Sequence, residues 1–254
     1  MDHDKLFGGL LRAVGGGLLI AAVVLAPVAQ AAASDDRYRL LRLQGVLVKW
    51  QQTDVLMPVR LTYAVATKPA YDEEAINCRG VGALDPLLQN SGLNDATFRD
   101  ALRIAIRRWE HAANLMFVPT TDEDSADILI GAQLQPRGIA FANVSLSDET
   151  IDDHRMIKRS RVCLNPTRNW KIGFDGNLNV YDLVHTLTHE IGHAIGLDHP
   201  RGADHVMSFQ YRETRHTLSH GDVVGVQEIY GPPIEFAQGR QQPSTLTTRV
   251  GAVH

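Results

Sequence analysis

The chain has 254 residues, of which 44% are hydrophobic, 21% charged and 6% aromatic. This balance excludes a disordered or fibrous chain and allows one or two domains with a buried core. The 25 basic and 29 acidic side chains give a net charge of −4. The chain therefore lacks the strongly basic composition of a protein that binds nucleic acid or an anionic membrane, and we expect neither partner.

The first 33 residues have the pattern of a secretory signal peptide. A short charged start precedes an apolar run over residues 13–26, and small residues follow Pro27. The A-x-A pattern predicts cleavage after Ala31 or Ala33, which would release a secreted protein, extracellular or periplasmic, without a membrane attachment. An uncleaved anchor is the alternative, because residues 13–33 are mostly apolar and just long enough to span a bilayer.

Hydrophobic periodicity predicts an α+β domain over residues 38–231. Alternation from Val59 to Val65 indicates a strand with one buried face, and an amphipathic helix follows, capped by Asn94 or Asp95. Short β-prone runs come next, at residues 116–118, 128–130, 139–144 and 161–164.

The second half of the chain is predicted to hold a loop, two helices and a tail. We interpret the polar stretch 145–160, which has no period, as a surface loop. A helix over residues 181–195 is predicted to be capped by Asn179, and a last helix begins at Ser219. Residues 232–254 are rich in Gly, Gln, Pro and Thr and predict a disordered tail.

Cys78 and Cys163 are the two cysteines of the chain. Two cysteines outside any CxxC pair exclude a disulfide scaffold and a thiolate zinc site, so any metal must use histidine or carboxylate ligands. Because export implies an oxidising compartment, the pair could form one disulfide that links the two halves of the domain. Two free buried thiols are the alternative.

The penultimate helix carries the string H-E-x-x-H-x-x-G-x-x-H, from His189 to His199. Four residues turn an α-helix by about 400°, so His189 and His193 project from the same face. Gly196 can adopt the backbone angles that end the helix, which lets the chain return and present His199. Three imidazoles leave one tetrahedral position open, which is how a catalytic zinc site is built.

Glu190 lies about 100° around the helix from His189 and is placed to contact a water molecule rather than the ion. A carboxylate there can act as general base for a zinc-activated water that attacks a carbonyl carbon, and can then pass the proton to the leaving amine. The pattern predicts a metalloendopeptidase that acts on a protein or peptide substrate, and we expect the protein to be a monomer. The alternatives are a non-catalytic zinc-containing binding module of the same fold and a metallohydrolase of non-peptide amides.

The three-histidine string followed by Met207 resembles the metzincin metallopeptidases, in which a methionine turn lies beneath the zinc site. Tyr211, four residues after Met207, is similar to the matrixin branch, the matrix metalloproteinase relatives of peptidase family M10. There this segment helps to wall the pocket for the substrate side chain that follows the scissile bond. Phe209 has no oxygen that could reach the zinc, unlike the tyrosine of the astacin and serralysin branches. The similarity extends, less specifically, from Lys49 to Gly231.

The resemblance implies a metzincin-type catalytic domain. Its features are a twisted mixed sheet packed on helices, an active-site helix that ends at a glycine, and a small C-terminal subdomain with the Met-turn and a final helix. Animal matrixins carry a second, structural zinc on His and Asp before the active helix, but residues 138–144 contain no histidine. We therefore predict one catalytic zinc. Acidic pairs at residues 122–124 and 152–153 could bind calcium, but no calcium-loop motif supports such a site.

Three further side chains bear on the site. His185 lies one turn before His189, and we interpret it as a partly exposed helix residue; the alternatives are a supporting role beside a metal ligand and a direct role as a ligand. Asp198 could orient a histidine or simply be solvated. Cys78 follows the first strand, which misplaces it for the propeptide thiol that keeps matrixins latent, so we do not expect latency by such a thiol switch.

Overall fold

The computed structural model describes residues 38–54 and 56–234, and over these residues the chain is a mixed α+β domain. The predicted signal peptide and residues 235–254 of the predicted tail lie outside the described residues. Among the described residues, no helix is both long and apolar enough to cross a membrane. The helices are α1 Asp85–Ser91, α2 Asp95–Ala112, α3 Leu183–Ala194 and α4 His220–Tyr230.

The strands are short except for a pair of eleven and twelve residues late in the chain. They are β1 Arg39–Leu40, β2 Arg42–Leu43, β3 Val46–Lys49, β4 Val59–Val65, β5 Ala70–Tyr71, β6 Gly80–Gly82, β7 Leu115–Pro119, β8 Ile128–Gln133, β9 Ala140–Ile151, β10 His154–Leu164, β11 Trp170–Lys171, β12 Tyr181–Asp182 and β13 Leu197–Asp198.

Nine of the described strands form one mixed sheet. Its main path runs β2-β3-β10-β8-β4-β7, with β9 paired to β10 and the hairpin β5–β6 joined to β8. The pairs β4–β7, β4–β8 and β10–β8 are parallel, whereas β9–β10 is antiparallel. Parallel neighbours need long crossover connections, and α2 lies in the one between β4 and β7. The predicted α+β class is confirmed.

The prediction of a surface loop over residues 145–160 is wrong. The structure continues β9 to Ile151 and begins β10 at His154, so this stretch is a hairpin. Asp152 and Asp153 form its turn with left-handed backbone angles, φ 48° and 60°. Most side chains of this part of β9 are partly or fully exposed, so backbone pairing rather than burial holds the strand. A strand without a buried face leaves no apolar alternation in the sequence.

Helix α2 packs against α3, the helix that carries the histidine motif. The side chain of Asn94 accepts a hydrogen bond from the backbone N–H of Thr97, which caps α2 at its start. Trp109, near the end of α2, is fully buried, and its indole N–H donates to the carbonyl of Thr188 at 2.9 Å. This bond fixes α3 against α2 one residue before the first histidine of the motif.

The predicted cap of the motif helix is wrong. Asp182, rather than Asn179, accepts a hydrogen bond from the backbone N–H of His185 at 2.6 Å, and α3 begins at Leu183. The parallel pairing of β12 with β11 keeps Asp182 extended, so the helix cannot begin earlier. Asn and Asp are both favourable N-cap residues, so it is the pairing of β12 with β11 that decides between Asn179 and Asp182.

A disulfide joins Cys78 to Cys163, which are 85 residues apart in the chain. Both cysteines are buried, and their Cα atoms are 6.4 Å apart. Cys78 precedes β6, and Cys163 lies in β10 beside β8. The bond therefore ties the β5–β6 hairpin region to the centre of the sheet.

Replacing both cysteines by alanine should lower the free energy of unfolding by about 2–5 kcal/mol, because an 85-residue loop is released in the unfolded state. Denaturant titration of both proteins, with and without a reductant, measures the difference. The reductant should destabilise the wild type and leave the variant unchanged. Equal stability of the wild type and the variant in the absence of reductant would contradict this expectation.

Candidate metal centre

Three imidazoles converge at the end of α3. The Nε2 atoms of His189, His193 and His199 lie 3.1, 3.1 and 3.2 Å from one another. Over residues 38–54 and 56–234 they are the one group of at least three His, Cys, Asp or Glu side chains whose ligand atoms all lie within 4.8 Å of each other. The structure thus brings together the three histidines of the motif.

The Nδ1 atoms of two of the three histidines form hydrogen bonds with backbone carbonyls. His189 Nδ1 lies 2.7 Å from the carbonyl oxygen of Val206, and His193 Nδ1 lies 2.8 Å from that of Leu197. A carbonyl can only accept, so Nδ1 donates and the Nε2 lone pairs face the centre of the cluster. Facing lone pairs repel unless a cation lies between them. Zn–N bonds of about 2.0–2.1 Å in a tetrahedron separate the nitrogens by roughly 3.4 Å, so these residues fit a zinc ion.

The chain reverses at Gly196 to deliver the third histidine. Gly196 has φ +102°, and a Cβ there would lie 2.7 Å from the carbonyl oxygen of Val48. The last carbonyls of α3 also find partners, since Trp50 Nε1 donates to Ala194 at 2.9 Å and the Tyr230 hydroxyl donates to Ile195 at 2.8 Å. The helix therefore stops at a defined point, and β13 follows directly with His199 after it.

Met207 lies directly beneath α3. A Cβ built on Gly192, between the two helical histidines, would come within 2.3 Å of the Met207 sulfur. The turn that carries Met207 is held by Asp222, whose carboxylate accepts hydrogen bonds from the backbone N–H groups of Val206 at 2.9 Å and Met207 at 3.2 Å. Asp222 is 1% exposed and also forms a capping box with Ser219 at the start of α4. It thereby fixes the Val206 carbonyl that orients the first histidine.

Glu190 is a buried carboxyl group beside the histidine cluster. Its side chain is 5% exposed, and within the described part of the chain its Oε2 atom has no hydrogen-bond partner. Burial raises the pKa of Glu190 to about 8, and a hydrogen bond with the backbone of Ala142 acts in the opposite direction. A carboxyl group with a free oxygen and a pKa near neutrality is suited to accept and return a proton.

The prediction that His185 is partly exposed is wrong. Its side chain is 6% exposed, and burial lowers its pKa. The rings of Tyr211 and Phe174 stand edge-on to it, with centroids 5.3 and 5.9 Å away. These rings come from segments on either side of α3 in the chain, so helical periodicity could not reveal the burial.

Tyr211 is fixed beside the start of α3. Its hydroxyl accepts a hydrogen bond from the backbone N–H of Asp182 and donates one to Glu213, both at 2.9 Å. Glu213 also accepts from the backbone N–H of Gly176 and pairs with Lys171. Sequence reasoning missed Glu213 and the hydrogen bonds that Asp222 accepts from the Met207 turn, because these bonds join segments that carry no motif or lie far apart in the chain.

In the metal-free protein, stability should fall as the pH drops from about 6.5 toward 4. Burial and the neighbouring His199 lower the pKa of His193 to about 4, whereas an unfolded histidine has a pKa near 6.5. Between these values the unfolded state binds more protons, so acid favours unfolding. Denaturant titrations over this range should show a smaller slope for His193→Asn. Identical slopes for both proteins would contradict the assignment to His193.

The mixed sheet, the motif helix that ends before a glycine, and the histidine cluster fit a metzincin-type α+β catalytic domain. The family model Peptidase_M10, described as matrixin, matches residues 86–231, which is more than half of the chain. The chain therefore belongs to the matrixin family.

Several curated proteins are similar to this chain. Metalloendoproteinase 4-MMP of Arabidopsis thaliana is 29% identical over 164 residues, 60% of this chain and 45% of the plant protein. Stromelysin-1 of Rattus norvegicus is 30% identical over 147 residues, 53% of this chain and 29% of the rat protein. Matrix metalloproteinase-16 of Homo sapiens is 41% identical over 70 residues, 25% of this chain and 11% of the human protein. The matches thus span less than half the length of these relatives.

Proposed function

We propose that this chain is a secreted zinc metalloendopeptidase. His189, His193 and His199 would hold one zinc ion, and Glu190 would act as general base. The observation that carries the proposal is the convergence of three Nε2 atoms within 3.2 Å of one another beside a buried carboxyl group. Membership of the matrixin family and the names of the metalloendoproteinase relatives support it.

The metal and the side chains of the site would have different roles in peptide hydrolysis. When bound, zinc would polarise the substrate carbonyl and acidify the attacking water. Glu190 takes the proton from that water and returns it to the leaving amine. Its pKa near 8 in the metal-free protein would fall when a cation occupies the adjacent site, because an opposite charge favours the ionised carboxylate. Tyr211 would contact the substrate side chain that follows the scissile bond, and Met207 and Gly196 would support the site.

We propose the domain limits that the sequence indicates: a signal peptide over residues 1–33, a catalytic domain over residues 38–231 and a disordered tail over residues 232–254. The negative net charge supports a protein or peptide substrate over nucleic acid. The protein would be extracellular or periplasmic and monomeric, and its disulfide is of the kind that persists in an oxidising compartment.

Cleavage of a proteome-derived peptide library by the purified protein tests the proposal. We expect internal peptide bonds to be cut, cleavage to stop with a zinc chelator, and cleavage to return with one equivalent of zinc. Zinc binding without any cleavage would instead favour a binding module, and hydrolysis restricted to small non-peptide amides would favour a different hydrolase. Cleavage that persists after complete zinc removal would overturn the proposed mechanism.

A further inference from the structure

The two-residue strand β13 contacts two of the three histidines, His193 through its ring and His199 through its backbone. The Leu197 carbonyl accepts from His193 Nδ1 at 2.8 Å. Asp198 Oδ1 accepts from the backbone N–H of His199 at 2.8 Å and lies 3.7 Å from His199 Nδ1. A shift of β13 would therefore move the second and third histidines together.

Strand β1, near the start of the described residues, holds β13 in place. The two strands pair antiparallel, with Arg39 opposite Asp198 and Leu40 opposite Leu197. The backbone N–H of Leu41 extends the ladder by donating to the Gly196 carbonyl at 2.8 Å. At this pairing the Arg39 Nε atom lies 3.0 Å from Asp198 Oδ2, so the two carboxylate oxygens of Asp198 have different partners.

Helix α4 supports these two strands from the other side. A Cβ built on Gly225 would lie 2.9 Å from the Cβ atom of Tyr38 and 3.2 Å from Leu197 Cδ2. The absence of a side chain at this position of α4 lets Tyr38, which precedes β1, and Leu197 of β13 approach the helix closely. Strand β1 is thus paired with β13, and Tyr38 before it contacts α4, although both lie before the residues 86–231 that match the family model.

We propose that β1 is part of the metal site and that Arg39 is a positioning residue for His199, acting through Asp198. The proposal rests on the proposed zinc function of the three histidines. Arg39 holds one oxygen of Asp198, which leaves the other directed at the backbone of His199. Without Arg39 the carboxylate is free to rotate, and the third ligand loses its fixed backbone partner. Groups that orient metal ligands influence affinity without touching the metal.

A purely structural role predicts a different result. The Arg39 and Asp198 side chains are 66% and 23% exposed, and an exposed ion pair contributes little to the free energy of unfolding. Loss of Arg39 should therefore change zinc affinity while leaving the metal-free protein nearly as stable as before. Arg103 provides a control, because its side chain is similarly exposed, at 56%, and pairs with Asp100 on α2 at 2.8 Å.

The test compares wild type, Arg39→Ala, Arg39→Lys and Arg103→Ala in the full chain. Zinc affinity is measured by competition with a chromophoric chelator, ligand geometry by the absorption spectrum of the Co²⁺-substituted protein, and stability by denaturation of the metal-free protein. We expect Arg39→Ala to weaken zinc binding about three- to tenfold and to alter the Co²⁺ spectrum. Arg39→Lys should recover most of the affinity, and Arg103→Ala should match the wild type. In an Asp198→Asn background, Arg39→Ala should have little further effect.

The outcomes separate this inference from the proposed function. If the wild type binds zinc but Arg39→Ala has the same affinity and Co²⁺ spectrum, the positioning role is wrong and the zinc function stands. A loss of metal-free stability with unchanged zinc affinity would also overturn the role, since Arg39 would then only support the fold. Failure of the wild type itself to bind zinc would instead refute the proposed function.

Discussion

Glu190→Gln should lower kcat/KM for peptide cleavage by about two to four orders of magnitude and leave the zinc content unchanged. Glutamine keeps the shape of the side chain but cannot accept the proton of the attacking water, and general acid–base catalysis typically contributes this much. Because the buried carboxyl group does not belong to the histidine cluster, its neutralisation should spare the ligands. The loss should therefore appear in kcat more than in KM.

The matched control is Glu228→Gln, which makes the same chemical change at an exposed position of α4. Its kcat/KM should equal that of the wild type. Activity is followed with a fluorogenic peptide and zinc by elemental analysis of the same preparations. A Glu190→Gln protein that holds one zinc per chain and cleaves at the wild-type rate would show that another group is the base.

His199→Ala should weaken zinc binding at least about a hundredfold and abolish peptide cleavage. The variant retains His189 and His193, which are only two ligands from one helix, and a catalytic zinc site normally has three. Loss of a group that hydrogen-bonds directly to a ligand typically costs about 10–100-fold in affinity, so loss of the ligand itself should exceed that. The fold should persist, because His199 follows β13 and is partly exposed.

The control for this variant is His111→Ala, which removes an exposed imidazole from the last turn of α2. Zinc titration of the metal-free proteins in competition with a chelator gives the dissociation constants, and denaturation verifies the fold. His111→Ala should bind zinc as the wild type does. Wild-type affinity in folded His199→Ala would mean that the third ligand lies elsewhere.

Local backbone geometry explains why the candidate metal site could be predicted from the sequence. The 3.6-residue period of a helix places His189 and His193 on one face in any α-helix, whatever surrounds it. Gly196 indicates the reversal because a positive φ is costly for other residues, and the structure gives it φ +102°. The matrixin resemblance, which rests on this string and Met207, is confirmed by the family match.

Other features depended on segments that meet only in the folded chain. Residues 145–160, predicted as a surface loop, pair through their backbones as the outer part of the β9–β10 hairpin. His185 is buried by Phe174 and Tyr211, which flank α3 in the sequence. Side-chain periodicity could predict neither this strand pairing nor the burial of His185, because it reports only which face of an element is apolar.

The sequence alone determined the class of the protein and the identity of its candidate ligands, since both follow from residue types at helical spacing. Only the tertiary structure decided how those ligands are oriented. The Val206 and Leu197 carbonyls bond to two of the imidazoles, and the Asp222 carboxylate and the β1–β13 pairing hold the segments that carry these carbonyls. Backbone carbonyls are present at every position, so only the long-range packing of the chain selects the few that face an imidazole.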